Sequence, residues 1–448
     1  MKIKIISVLV LIISMHSLSA GTYTLEEYLN LVEVNSKDLV LAQYERALAE
    51  NQKDQATALI RPMISGSLSY SRNLLEISQE YPVGASPIAD PDYGFYPLIT
   101  QDITVSKEND YSFSMGVQQT LFDMKAFKAL EASKKYISLT GSVYEAKRQG
   151  ILTGAKKAYF QTVLLDKVYE VKKATEENAF EAWLDIQLKY ENDLASDLNV
   201  LQAEVNWQMK IPETTQAERN RDLAMSSLKH LAGIDPNETV LLIDELMMIE
   251  EEPESVSFSG ILNSRPDYRA LQLGSELNEI NVSSKKAEFF PKLTATAGYG
   301  WKKSDDAFDL TGGINALQVG FNLSIPVFYG GIRFSQLEQA RIESNKSEME
   351  ILKKHDEVQR EINNLNLLLN ESMSRINSAE ATLKTAEKAY SIMDISSKNG
   401  LSAPLELKDA LLNLEGARLN YYKAVYDYLD AYFSWQQAIG KGDQLPNF

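Results

Sequence analysis

The chain has no cysteine and only three histidines in 448 residues. The first absence excludes a disulfide framework, a thiolate metal site and a lipid-modified cysteine near the N-terminus. Of the histidines, His16 lies in an N-terminal apolar leader. His230 sits near a helix end, where a cation suits the dipole, and His355 falls on a helical seam. Neither of the latter two forms a catalytic or metal-ligating set. There is no P-loop, zinc spacing or nucleophile elbow, so no enzymatic activity and no cofactor is expected. Positive charge is also scarce. Forty-five Lys and Arg against 62 Asp and Glu leave a net charge of −17, which argues against a general nucleic-acid role, since phosphate binding needs clustered cations. Beyond the leader, no run approaches the roughly 18 continuous apolar residues of a transmembrane helix. Passage through a membrane must therefore be made by strands.

What is present begins with Lys2 and Lys4, the run "IISVLVLIIS" and small residues up to Ala20, the three-part layout of an export signal with cleavage expected near Ala20. After it the chain repeats itself. "NSKDLVLAQYERALAE" from Asn35 resembles "NSRPDYRALQLGSELNE" from Asn263, and each runs helically to a proline, Pro62 or Pro291, that opens an alternating segment. Leu130, Leu194, Leu198 and Gly233 then match Leu337, Leu401, Leu405 and Gly440, each pair about 207 residues apart. The boundaries that follow are a leader over 1–20, a first repeat over 21–233, an acidic linker over 234–260 and a second repeat over 261–448.

Each repeat reads as helix, strand, strand, very long helix, tight turn and returning helix. No Gly or Pro occurs from Ile332 to Asn399, a run that would extend about 100 Å as a helix. Within it the positions from Ile351 through Val358, Ile362, Leu369, Ile376 and Leu383 to Met393 keep the 4-3 spacing of a coiled-coil seam. In the first repeat Gly141, Gly150 and Gly154 interrupt the long helix and Pro212 sits in the return helix, so kinks are expected there.

The strands alternate. Ile64, Leu68 and Tyr70; Phe113, Met115, Val117 and Leu121; Leu293, Ala295, Tyr299 and Trp301; and Val319, Phe321, Leu323 and Ile325 point one way. Serines, threonines, glutamines and glycines point the other. Ten-residue alternation of this kind is the signature of a transmembrane barrel strand with a wet interior. Four strands cannot close a barrel and an open edge is not tolerated in lipid, so several copies must combine, with cyclic symmetry as the default. A long segment from Ile77, rich in Pro, Gly and Asp, reads as a surface loop.

In "TLEEYLNLVEVNSKDLVLAQ", the Pro-initiated strands, "IPVFYGGIRFSQLEQAR" and the helix ends "HLAGIDP" and "AIGKG", the chain resembles the TolC family of outer-membrane efflux and secretion ducts. The resemblance implies an α+β membrane protein: a homotrimer whose subunits give four strands each to a 12-stranded barrel, continued by a periplasmic coiled-coil α-barrel. It also implies a periplasmic adaptor (membrane fusion) protein and an inner-membrane transporter as partners, outer-membrane lipid around the barrel, and export by efflux or type I secretion. An envelope-spanning scaffold or adhesin without channel activity is the competing reading.

The resemblance assigns residues as well. Pro326, Gly330 and Gly331 are the swivel from strand to helix, with little room for a loop; the first-repeat join, "TLFDMKAF", is one residue shorter and lacks glycine. The hairpin tips that dock an adaptor match Asp193, Leu194 and Ala195 in the first repeat and Gly400, Leu401 and Ser402 in the second. Glu406 and Asp409, three apart and so on one helix face, match acidic residues at the tunnel entrance. The arginine and tyrosine that hold the family's gate correspond to Ser402 and Ser397, which implies a closed state held differently or less tightly.

Overall fold

The computed structural model describes residues 21–88, 90, 92, 94–249, 256–399 and 404–445. The expected leader lies outside them. Sixteen elements are formed, in the order β1(Gly21–Tyr23), α1(Leu25–Asn35), α2(Lys37–Ala58), β2(Met63–Arg72), β3(Ser78–Ala85), β4(Leu98–Thr104), β5(Asn109–Phe122), α3(Met124–Glu191), α4(Asp197–Ala232), β6(Val240–Leu242), α5(Phe258–Ser264), α6(Pro266–Ala287), β7(Lys292–Asp305), β8(Ile314–Ser324), α7(Ile332–Lys398) and α8(Pro404–Ala438). The duplication is visible in their lengths: α2 and α6 have 22 residues each, α3 and α7 have 68 and 67, and α4 and α8 have 36 and 35. Gly233 and Gly440, partners in the repeat, both take left-handed backbone just past a helix end, with φ of 66° and 80°. No helix of the described residues is long and apolar enough to cross a membrane.

One compact unit comprises Leu48–Ser138 and Leu273–Glu348 and therefore draws on both repeats. Its centre is a four-stranded antiparallel sheet ordered β2-β5-β7-β8. Register makes the alternation of each strand coherent across the sheet. Leu68 pairs with Phe113 and Phe113 with Trp301; Met115 pairs with Tyr299 and Tyr299 with Leu317; Ala295 pairs with Phe321 and Leu293 with Leu323. Because side chains directly opposite share a face, one face of the sheet is apolar through its middle, with Gln119 opposite Ala295 at one end and Asn315 opposite Trp301 and Lys303 opposite Tyr111 at the other. Its side chains are open in the single chain: Leu68, Val319 and Phe321 are 80%, 72% and 73% exposed. The other face carries small polar groups that bond to each other, with Ser67 Oγ 2.8 Å from Ser114 Oγ and Ser69 Oγ 2.7 Å from Ser112 Oγ. Near its end β5 bulges between Thr120 and Phe122, so Phe122 rather than Leu121 pairs with Leu293.

The segment from Ile77 is not a structureless loop. β3 and β4 pair as an antiparallel ribbon, Ser78 opposite Thr104 and Tyr81 opposite Gln101, with a register shift between Pro82 and Gly84. Alternation in this ribbon is broken by Pro82 and Gly84, which hid it in the sequence.

The other unit comprises residues through Ala47, Leu139–Gln272 and the chain from Met349. The seam expected in α7 is buried at Val358, Ile362, Leu369, Ile376 and Ala379, and it joins a core that includes Val425, Leu429 and Phe433 of α8. Ion pairs Arg375–Asp427 at 3.5 Å and Arg418–Glu387 at 3.7 Å tie the same two helices in antiparallel order. His355 stands edge-on to Phe258 at 5.0 Å between ring centres and bonds Asp356, a packing role. The first hairpin is seamed differently, by Phe180 and the stacked Trp183 and Trp207, whose centres are 5.1 Å apart.

α3 is continuous through Gly141, Gly150 and Gly154, none of which adopts positive φ, and α4 continues through Pro212. The interruptions expected at the glycines are absent. A glycine costs a helix only about 1 kcal/mol, which the packed face of a 68-residue helix offsets.

Two further features of this unit are not signalled by the sequence. β1 and β6, three residues each, pair in parallel, Gly21 opposite Val240 and Tyr23 opposite Leu242. Asp244 beyond β6 accepts from Leu25 N at 2.6 Å and from Tyr159 Oη at 2.8 Å, and burial holds the Tyr159 phenol well above its usual pKa. The second feature is a clasp on the last described residues. From α3, Thr153 Oγ1 donates to Gly442 O at 3.3 Å, while the fully buried Lys156 donates to Gln436 Oε1 at 3.2 Å, to Gly442 O at 3.1 Å and to Gln444 O. Burial lowers the Lys156 pKa to about 8, although nearby Asp443 opposes that change.

Candidate functional site: joins, tips and the first turns of α8

Two joins carry sheet strands into long helices. After β5 a single residue, Asp123, intervenes before α3. Its Oδ1 accepts from Lys125 N at 3.0 Å and Ala126 N at 3.3 Å, satisfying two of the helix's orphan donors, while Lys292 Nζ lies 3.1 Å from Oδ2. Lys125 in turn pairs with Glu288 at 2.8 Å. That bond holds the Glu288 carboxyl below its usual value.

After β8 the connection is longer than expected. Seven residues, from Ile325 to Gly331, separate β8 from α7, so the two joins differ by six residues rather than one. Pro326 has no N–H to extend the ladder past Ser324. Gly330 and Gly331 then take φ of 60° and 84°, consecutive left-handed conformations that only glycine adopts at little cost. Gly331 O accepts from Phe334 N at 3.1 Å and starts α7. Around this turn Phe289, Tyr329, Arg333 and Phe334 line a small groove of about 50 Å³.

At the first hairpin tip Asp193 is the one non-glycine residue with positive φ among the described residues, 62°. Asp193 N donates to Tyr190 O at 3.0 Å and Leu194 N to Lys189 O at 2.7 Å, the paired bonds of a Schellman cap. Aspartate is among the few residues other than glycine that tolerate this backbone, which explains how it stands where the second repeat has Gly400. The cap projects Leu194, 77% exposed. Ala195 is half-buried, and Ser196 restarts the helix by accepting from Asn199 N at 3.3 Å. Gly400, Leu401 and Ser402 lie outside the described residues.

Glu406 and Asp409 are both exposed in the first two turns of α8, where the helix dipole favours acids. Six residues beyond Asp409 comes a group that was overlooked. Glu415, with a side chain 7% exposed, is 2.5 Å from Lys172 of α3 and 3.8 Å from Lys210 of α4, and Lys172 also bonds Glu213 at 2.8 Å. Burial pulls the Lys172 pKa down, but the bonds to Glu213 and Glu415 leave it raised; the same Lys172 bond holds Glu213 below its usual value. One buried carboxylate thus ties three helices. The acid inside the apolar run "LLNLEGARL" was its signal. Among the described residues no group of three or more His, Asp or Glu is placed to hold a metal ion.

This sheet and these hairpins have counterparts in known proteins. Residues 28–234 and 258–441 match the outer membrane efflux protein family. The chain is 22% identical to outer membrane protein TolC of Escherichia coli over 420 residues, 85% of each chain. It is 24% identical to the alkaline protease secretion protein AprF of Pseudomonas aeruginosa over 332 residues, 72% of this chain and 68% of that one. The Campylobacter jejuni CmeC outer membrane channel superposes with a TM-score of 0.75 at 19% identity, covering 93% of this chain and 86% of that one. Vibrio cholerae VceC gives 0.70 at 19% identity, with 93% and 96% covered. With the apolar sheet face, the duplicated long hairpins and a family match over most of its length, the chain belongs to the outer membrane efflux protein family.

Proposed function

We propose that this protein is a passive exit duct whose acidic entrance and hairpin tips carry its selectivity and its coupling. It is an outer-membrane channel of the trimeric kind, with four strands per subunit in a 12-stranded barrel and a helical tunnel in the periplasm. The observation that carries the reading is the sheet: a predominantly apolar face on four strands whose outer members, β2 and β8, each have one unpaired edge among the described residues. Copies joined edge to edge satisfy both edges and turn the serine-lined face inward.

Leu194 and, in the second repeat, Leu401 are the contacts offered to a periplasmic adaptor, which links the duct to an inner-membrane transporter. An exposed leucine serves neither cap nor turn, which supports a docking role. Relatives are named for protease secretion and for toluene efflux, so the duct itself sets no narrow substrate class. Energy for transport comes from the transporter, and no catalytic role is assigned to any residue here. Glu406 and Asp409, taken three times, place six carboxylates around the entrance, where a shared potential favours cations.

Reversal potentials across a salt gradient in planar bilayers test the entrance. Glu406→Gln with Asp409→Asn is expected to reduce cation selectivity. The same change at the exposed Glu348 and Glu350 leaves it nearly intact. Equal effects from the two pairs would remove the entrance assignment, and absence of single-channel conductance in the parent protein would favour the scaffold reading.

A further inference from the structure

The groove at the second join has a composition that a simple turn does not require. It is lined by Phe289, Val327, Phe328, Tyr329 and Phe334 with one cation, Arg333, whose guanidinium lies 3.9 Å from the centre of the Tyr329 ring. Lys125 and Lys292, at the same helix-side edge of the sheet, are each paired with a carboxylate, Glu288 and Asp123. Among the described residues Arg333 has no such ion pair. Val327 and Phe328 are 90% and 76% exposed, a placement that costs free energy in water, and the apolar sheet face runs into them through Leu323 and Ile325.

We propose that this groove binds the phosphate of a net-anionic phospholipid in the inner leaflet of the outer membrane, one whose headgroup carries no ammonium to compensate the phosphate, so that the unpaired Arg333 supplies the missing counter-charge. The inference rests on the lipid-facing orientation of the sheet. Because the tunnel helices are periplasmic, the edge where β8 becomes α7 lies at the inner-leaflet interface. Aromatic rings are stable at that depth, where one end is apolar and the other wet, and an unpaired guanidinium presents a planar fork matched to two phosphate oxygens. Stacking on Tyr329 fixes that fork without neutralising it. About 50 Å³ admits a headgroup's oxygens and not a drug-sized molecule, which needs roughly 300 Å³ or more. Val327 and Phe328 then lie against the acyl chains.

The test uses purified full-length trimer in nanodiscs of phosphatidylcholine containing one-fifth phosphatidylglycerol, with bound lipid counted by native mass spectrometry. The parent protein is expected to retain phosphatidylglycerol over phosphatidylcholine by about five-fold. Arg333→Gln abolishes the preference, and Lys125→Gln leaves it. Excess inorganic phosphate in the buffer does not displace the lipid if the acyl chains contribute. Equal retention of the two lipids by the parent, an undiminished preference in Arg333→Gln, or the same loss in Lys125→Gln would overturn the site. So would displacement by phosphate alone. In lipid-free detergent Arg333→Gln keeps its trimer; a fall in trimer there would make the groove a contact between copies instead. Failure of the parent to insert as a trimer would instead overturn the barrel reading itself.

Discussion

The two joins perform one task with opposite chemistry. At the first, a single aspartate ends the strand, caps the helix and holds Lys292, so strand and helix are coupled through one rigid peptide unit and ion pairs. At the second, seven residues and two left-handed glycines separate the same elements, and the nearest cation stacks on a ring instead of pairing with an acid. The long helices of the two repeats agree in length to within one residue, so the repeats differ chiefly in what connects their strands: the β3–β4 ribbon inserted in the first, and the joins. A short join transmits helix rotation into the sheet; a long one absorbs it. Three copies of each alternate around the ring, so fixed and compliant couplings alternate as well.

Inserting one glycine after Asp123 gives the largest effect that this contrast predicts. It rotates the start of α3 by about 100° relative to β5 and detaches the cap, and loss of the trimer on native gels is the expected result. The same insertion between Val327 and Phe328 leaves the trimer; if both insertions were tolerated equally, the rigid and compliant assignment would fail. Next comes Gly331→Val, which forces a β-branched residue to φ near 84°. Roughly 1–2 kcal/mol of destabilisation, read from the denaturant midpoint, is expected. Asp123→Ala removes the cap and costs about 0.5–2 kcal/mol, with Asp123→Ser recovering part of it.

The smallest effect is acid sensitivity. Glu288 is held below its unfolded value of 4.5 chiefly by its bond to Lys125. Its contribution is therefore complete above that pH and is lost as pH falls through the lower folded value. Hydrogen exchange should loosen around the first join as pH falls below 4.5 and not around the second, whose seven residues include no carboxylate. A uniform response of both joins would mean that the ion pairs at the first are incidental.

The parts that could be read from the sequence are those with a period. The seam from Val358 to Ala379 and the faces of β2, β5, β7 and β8 follow from spacing alone, because many residues state the same pattern. Single-residue devices were harder to read. Asp123 and the αL geometry of Asp193 each depend on a backbone angle, for which an isolated Asp is a weak signal. Lys172 and Glu415 meet across 243 residues, and no local pattern reports such a pair. The β3–β4 ribbon was hidden by Pro82 and Gly84, residues that ordinarily mark loops. For the second tip, the sequence match remains the guide, since Gly400, Leu401 and Ser402 are outside the described residues.

The short parallel pairing of β1 with β6 bears on the order in which the subunit forms. Gly21 and Val240 are separated by more than two hundred residues, and the whole first repeat lies in the loop that their pairing closes. Closing so long a loop is entropically unfavourable, and three residues of strand return little for it. The pairing must therefore follow the collapse of α1 and α4 around Tyr28 and Leu228, whose bond already brings the two ends near each other. It forms late and opens early. The N-terminal strand is thus a reporter of completed folding: protection of the Ile243 amide, which donates to Tyr23 O at 3.3 Å, marks a subunit whose first repeat has finished folding.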